Sequence, residues 1–280
     1  MNHQYYSATR LFLHIILGVV LLVLTGAIWN NKTALVKTTK CWWLGKTIRL
    51  LGINVKVYGD IPGVEKPAVD GQKKGILYVS NHISWIDIPL IGSLTKLNFL
   101  SKAEVRDWPL IGKLAEGTGT LFIQRGSGDT ASVAKSIADY LDDGRSVLFF
   151  PEGTTSDGSC VRRFHSKLFK ASQHTEITLS PVAIHYSVAN CDYNPIAFID
   201  DHEFSTHLWH LLKYREITAH VMFLQPRTVP AEDVEAFVRD VQKDISCSVK
   251  RLNQKDKANT NILWPDASIR DDQKDEAASF

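Results

Sequence analysis

His82 and Asp87, five positions apart in Asn81-His82-Ile83-Ser84-Trp85-Ile86-Asp87, are the pair in this sequence best suited to moving a proton. Histidine has the intrinsic pKa that suits proton abstraction near neutral pH. A neighbouring carboxylate can fix its tautomer and stabilise the imidazolium that forms. The apolar run Gly75-Ile76-Leu77-Tyr78-Val79-Ser80 just before reads as a buried strand. The imidazole therefore stands where a strand stops, an edge that holds a side chain rigidly and still shows it to a substrate. Residues five apart lie about 140° around an ideal helix, so the pair implies a loop-to-helix transition between them. A His beside an Asp is also an ordinary way to satisfy a turn, so the other segments must decide. No G-x-S-x-G elbow accompanies the pair, and no cysteine motif offers a nucleophile.

Three further segments look chemical. Leu121-Phe122-Ile123-Gln124-Arg125-Gly126-Ser127-Gly128 ends a strand in an arginine, which can hold a phosphate or carboxylate through paired hydrogen bonds. An arginine capping a surface turn would look the same. Phe149-Phe150-Pro151-Glu152-Gly153-Thr154-Thr155-Ser156 delivers a polar loop from a second buried strand. There Gly153 permits close backbone approach, and Glu152 is either a ligand contact or an ion-pair partner. Leu179-Ser180-Pro181-Val182-Ala183-Ile184 is a strand entered through a proline and reads as structural, shaping a pocket wall.

The elements that must position these residues follow from the patterning. Apolar runs at Gly75–Ser80, Leu97–Ser101, Thr120–Gln124, Val147–Phe150, Leu179–Tyr186, Pro195–Ile199 and Ile217–Leu224 read as strands. Helical segments separate them. The clearest is Thr130 to Asp142, with Asp129 as a cap and Gly144 as a stop. The alternation predicts an α/β domain with one mostly parallel or mixed sheet flanked by helices, spanning 60–252. Pro230 opens a last helix with the stripe Val234, Phe237, Val238, Val241 and Ile245. From about Asn253 the chain is polar, and 253–280 reads as a disordered tail.

Charge and composition remove several function classes. The formal net charge of +2 gives no reason to expect nucleic-acid binding. Cys41, Cys160, Cys191 and Cys247 are scattered, which argues against a zinc site and a disulfide framework. No metal is expected.

The first 59 residues read as a membrane-anchoring segment. Leu11 to Trp29 is nineteen residues without a formally charged side chain, close to the length that crosses a bilayer. Lys32, Lys37, Lys40, Lys46 and Arg49 follow it, which places that side in the cytoplasm. A signal peptide is the rival reading, weakened by the length of the stretch. A helix lying in the interface is a third, since His14, Gly18, Thr25 and Gly26 lower its hydrophobicity. Next come Trp42 and Trp43, then Ile48, Leu50, Leu51 and Ile53 interleaved with Lys46 and Arg49. This segment reads equally as an interfacial amphipathic helix or as the first core helix.

His82-x4-Asp87, Phe122-Ile123-Gln124-Arg125, Phe150-Pro151-Glu152-Gly153-Thr154 and Pro181-Val182 resemble, in order and approximate spacing, four blocks of the glycerolipid acyltransferase family. That family includes the 1-acylglycerol-3-phosphate acyltransferases. The resemblance covers roughly Tyr78 to Tyr186. It implies that His82 and Asp87 are catalytic and that Arg125, Glu152, Gly153, Thr154 and Thr155 bind the acceptor headgroup. Asn81, Arg163, His165 and Lys167 are implied as further headgroup or donor contacts. It also implies that no cofactor is needed. The partners are membrane lipids, a lysolipid acceptor, and acyl-CoA or acyl carrier protein as donor. Lysophosphatidic acid is the default acceptor. The chain departs from many lysophosphatidate enzymes at Thr155, where they carry arginine, and Arg125, Arg162, Arg163 or Lys167 would have to compensate. Glu-Gly-Thr-Thr with Asp157-Gly158 also resembles the lyso-ornithine lipid acyltransferase branch. A lipid-binding protein without activity and a lipid hydrolase remain as readings from other classes.

Overall fold

The computed structural model describes residues 2–27, 29–62, 74–123, 130–188, 191, 193–199 and 203–258. Its elements are α1 (Asn2–Leu24), α2 (Ala34–Leu50), β1 (Ile53–Tyr58), β2 (Ile76–Ser80), α3 (Asp87–Leu94), β3 (Leu97–Lys102) and α4 (Ile111–Gly117). They continue with β4 (Leu121–Ile123), α5 (Thr130–Asp142), β5 (Ser146–Phe149), β6 (Thr178–Val188), α6 (Phe204–Leu211), β7 (Ile217–Phe223), β8 (Arg227–Thr228) and α7 (Val234–Ala258).

The strands form one mixed sheet in the order β1-β7-β6-β2-β5-β3-β4, with β8 beside β6. β2 runs parallel to both β5 and β6, while β7 and β8 are antiparallel to β6. The pattern of side chains explains why both faces are covered. Tyr78, Leu148, Val182 and Ile184 point to a core closed by α2, α3 and α6. Leu77, Val79, Val147, Phe149 and Leu179 point to a second core closed by α5 and α7. The predicted α/β architecture is thus the observed one.

Three boundaries differ from the sequence expectation. The sheet starts at Ile53, not beyond residue 60, because β1 pairs in parallel with β7 from Ile53↔Ile217 to Tyr58↔Met222. Its alternation of Asn54 and Lys56 with Ile53, Val55 and Val57 is that of a strand, not of the end of the anchor segment. Pro195–Ile199 is a turn and extended loop, not a strand. Its backbone is consumed elsewhere, Phe198 N–H donating to Ile83 O at 2.9 Å. The last helix runs on to Ala258, past Asn253; residues 259–280 lie outside the described residues.

α1 is long and apolar enough to cross a membrane. One face packs on α2. His14 is buried, its Nε2 within 3.0 Å of Trp43 O and 3.1 Å of Thr47 Oγ1, and its ring stacks on Trp43. The other face leaves Phe12, Leu13, Leu17, Val20 and Val23 exposed. α2 serves the core directly. Thr33 caps it by accepting the Val36 N–H, and Leu44 and Ile48 are buried against the sheet domain. α3 lies close against α2, since a Cβ on Gly92 would come within 2.6 Å of Leu44.

Candidate active site

Strand register brings the site together. β2 and β5 end side by side, with Val79 opposite Phe149, so the His82 loop and the Glu152 loop emerge as neighbours. This is the carboxyl edge of a sheet whose connections leave β2 and β5 in opposite directions, the usual place for a ligand crevice in an open α/β sheet. The predicted loop-to-helix transition is present: Asn81–Ser84 has no regular structure, Trp85 and Ile86 turn, and α3 begins at Asp87.

His82 Nδ1 lies 2.8 Å from Asp87 Oδ2. The same oxygen accepts the backbone N–H groups of Ile83 at 2.7 Å and Ser84 at 2.9 Å. Asp87 is fully buried at the first turn of α3, where a carboxylate is favoured by the helix dipole. With Nδ1 turned to the carboxylate, Nε2 is the nitrogen left for a substrate hydroxyl. The His82 side chain is 17% exposed. Phe150 stacks on its ring at 3.9 Å between centroids, with an interplanar angle of 8°. The backbone of His82 is held at both ends, its N–H donating to Glu152 Oε1 at 2.8 Å and its carbonyl accepting the Ser156 N–H at 2.8 Å.

The predicted residues fall into distinct groups. Asn81 is buried and grips β6, its Nδ2 donating to Ile184 O and its Oδ1 accepting the Ile184 N–H. Glu152 is buried, and both its oxygens accept backbone N–H groups, those of His82 and Arg162. Its carboxylate therefore braces the loop, and the residue also lines the cavity beside His82. Burial, the largest influence, pushes its pKa up to about 7 against the lowering effect of those two hydrogen bonds, and the nearby Asp87 adds to the rise. Gly153 takes the left-handed turn conformation at φ 71° that lets the loop reverse. The Thr155 hydroxyl donates to Phe198 O. Arg163 is exposed and does not line the cavity next to His82, whereas Arg162, His165 and Lys167 do. Arg125 lies outside the described residues.

That cavity holds about 1090 Å³. It starts at His82, Phe150 and Thr155 and extends between α1 and α2, past Leu11, Gly18 and Trp43. Sequence reasoning missed three contributors. Lys102 at the end of β3 and Trp85 both line it. Tyr186, hidden in the apolar run of β6, donates its hydroxyl to Asp87 Oδ1 at 2.7 Å; only the strand register could have revealed it.

The Acyltransferase family model matches residues 55–185, spanning the His82 and Glu152 loops. A lyso-ornithine lipid O-acyltransferase of Pseudomonas aeruginosa is 39% identical over 204 residues, 73% of this chain and 75% of that protein. The chain belongs to the acyltransferase family. The relatives of this acyltransferase also include a 1-acyl-sn-glycerol-3-phosphate acyltransferase of Neisseria meningitidis, 30% identical over 190 residues, 65% of this chain and 74% of that one. Its fold matches the crystal structure of PlsC, a 1-acyl-sn-glycerophosphate acyltransferase from Thermotoga maritima. The TM-score is 0.65 at 19% identity, covering 90% of this chain and 93% of that one. The family expected from the four sequence blocks is therefore shown.

Proposed function

We propose that this acyltransferase moves a fatty acyl group from a thioester, on coenzyme A or acyl carrier protein, to the free hydroxyl of a lysolipid at a membrane. The observation that carries the reading is the His82–Asp87 pair opening on a long, largely apolar cavity. His82 Nε2 takes the proton of the acceptor hydroxyl as its oxygen attacks the thioester carbonyl. The tetrahedral intermediate then expels the thiolate, which takes the proton back from the imidazolium. The ester forms, the thioester breaks, and the enzyme needs no nucleophile of its own. Asp87 holds the imidazole and balances its transient charge.

The apolar arm between α1 and α2 suits an acyl chain, and the whole cavity, at about 1090 Å³, slightly exceeds the range of about 300–1,000 Å³ usual for ligand sites. Lys102, Arg162, His165 and Lys167 around the mouth suit an anionic headgroup. The exposed apolar face of α1 would rest in the bilayer, and the basic residues after it favour the cytoplasmic side.

Lyso-ornithine lipid is the better-supported acceptor. Thr155 stands where many lysophosphatidate enzymes have arginine, and its hydroxyl is committed to Phe198 O. The 39% identical relative is named for that activity. Lysophosphatidic acid is the second reading, supported by the cationic mouth. The test is the purified chain with labelled acyl thioester and a panel of lysolipids in mixed micelles. Transfer is expected to lyso-ornithine lipid ahead of lysophosphatidic acid. Transfer to none of the panel would refute the reading.

A further inference from the structure

The hydroxyl that meets the far oxygen of Asp87 comes from a strand outside both catalytic loops. β2 stops at Ser80 opposite Val182, but β6 continues to Val188, so Ile184 and Tyr186 run alongside the His82–Asp87 loop. Asn81 pins that overlap through its two hydrogen bonds to Ile184. Tyr186 is 3% exposed, and its 2.7 Å bond makes it, among the described residues, the fourth hydrogen-bonding donor around Asp87: three on Oδ2 and one on Oδ1.

We propose that Tyr186 is a positioning residue for the acyl-transfer reaction, one that keeps Asp87 aligned and shares its negative charge. The inference rests on the reading under Proposed function. A buried carboxylate beside an imidazole draws a proton onto it. A general base that is already protonated cannot accept the acceptor's proton. Sharing the carboxylate charge among four donors weakens that pull, yet leaves enough to hold the imidazolium formed during attack. Burial, and then the Asp87 charge, push the Tyr186 hydroxyl well above its usual pKa, so it remains a donor throughout the working range.

Three elements bring titratable or charged groups toward Asp87 among the described residues. His82 comes from the β2–α3 loop and Tyr186 from β6. Glu152 comes from the loop after β5 and feels the Asp87 charge. Arg162 stands behind Glu152 and is held by its backbone N–H.

The experiment is the pH profile of kcat/KM for acyl transfer by the full chain, for the parent and Tyr186→Phe. The bond to Asp87 is made whether or not the imidazole is protonated, so the pH limb reads only the difference in its strength between the two states. The acid limb of Tyr186→Phe is expected to move up by at most about one pH unit. Activity then falls by at most about tenfold on that limb and recovers as pH rises. 3-Fluorotyrosine at position 186 keeps the shape with a stronger donor and is expected to move the limb the other way; it decides the matter if the phenylalanine variant does not fold. Repeating the comparison in a Glu152→Gln background removes the other carboxyl that titrates nearby, and the Tyr186 shift should persist. A loss by the same factor at every pH, or a parental limb in both variants, overturns the proposal. Absence of transfer by the parent is a separate result that overturns the reaction assignment itself.

Discussion

Glu152 Oε1 accepts the backbone N–H of His82 at 2.8 Å, so a carboxylate that lines the cavity also fixes the main chain beside it. Its other oxygen takes the Arg162 N–H at 3.0 Å, which ties the cavity mouth to the same anchor. Glu152→Gln keeps the shape but offers a single acceptor oxygen, leaving one of the two N–H groups without its partner. We expect kcat to fall about tenfold, with acceptor KM little changed. A headgroup-binding role would give the opposite split, and steady-state kinetics at saturating donor distinguish them.

The same residue makes stability depend on pH. Its carboxyl is held near 7 in the folded chain, above its intrinsic 4.5, so the folded state binds this proton more tightly than the unfolded state. Its contribution is therefore most favourable below the intrinsic value and declines as pH rises from 4.5 to about 7. Gln cannot ionise. Between about pH 5 and pH 8 the unfolding free energy of Glu152→Gln relative to the parent should improve by about 2–3 kcal/mol, read by urea denaturation. A pH-independent difference between the two would contradict the assignment.

Thr155 tests the acceptor choice. Thr155→Arg removes the hydrogen bond to Phe198 O and adds a cation beside the mouth lined by Lys102 and Arg162. The ratio of kcat/KM for lysophosphatidic acid over lyso-ornithine lipid should rise, by about tenfold if the guanidinium reaches the phosphate. An unchanged or lowered ratio argues against a headgroup role for this position.

Gly92 tests whether α2 belongs to the catalytic fold as well as to the membrane. A methyl group there would sit 2.6 Å from both Leu44 on α2 and Phe99 on β3. Gly92→Ala should lower stability by about 1–3 kcal/mol in detergent, through overpacking. No change would mean that α2 separates readily from α3.

Much of this was legible because it is local. α5 has the predicted span of Thr130–Asp142, since its apolar spacing and Gly144 stop are written in consecutive residues. The His82–Asp87 pair declared itself by spacing, and the turn between them followed from helix geometry. What was hidden depends on pairing over distance. Tyr186 and Glu152 found their partners through the registers of β6 and β5 with β2. Ile53–Tyr58 looked like the end of an amphipathic segment until β7, far along the chain, supplied its hydrogen-bonding edge. Pro195–Ile199 has a strand's composition, but the backbone N–H and carbonyl of Phe198 brace the catalytic loops instead, bonding Ile83 and Thr155.

The central claim is that His82 is the base that activates the lysolipid hydroxyl. Single-turnover transfer from a labelled acyl thioester, comparing the parent with His82→Ala, tests it most directly. The account predicts a loss of roughly 10³-fold or more in the transfer step, with thioester binding retained. Transfer by His82→Ala at the parental rate would contradict it.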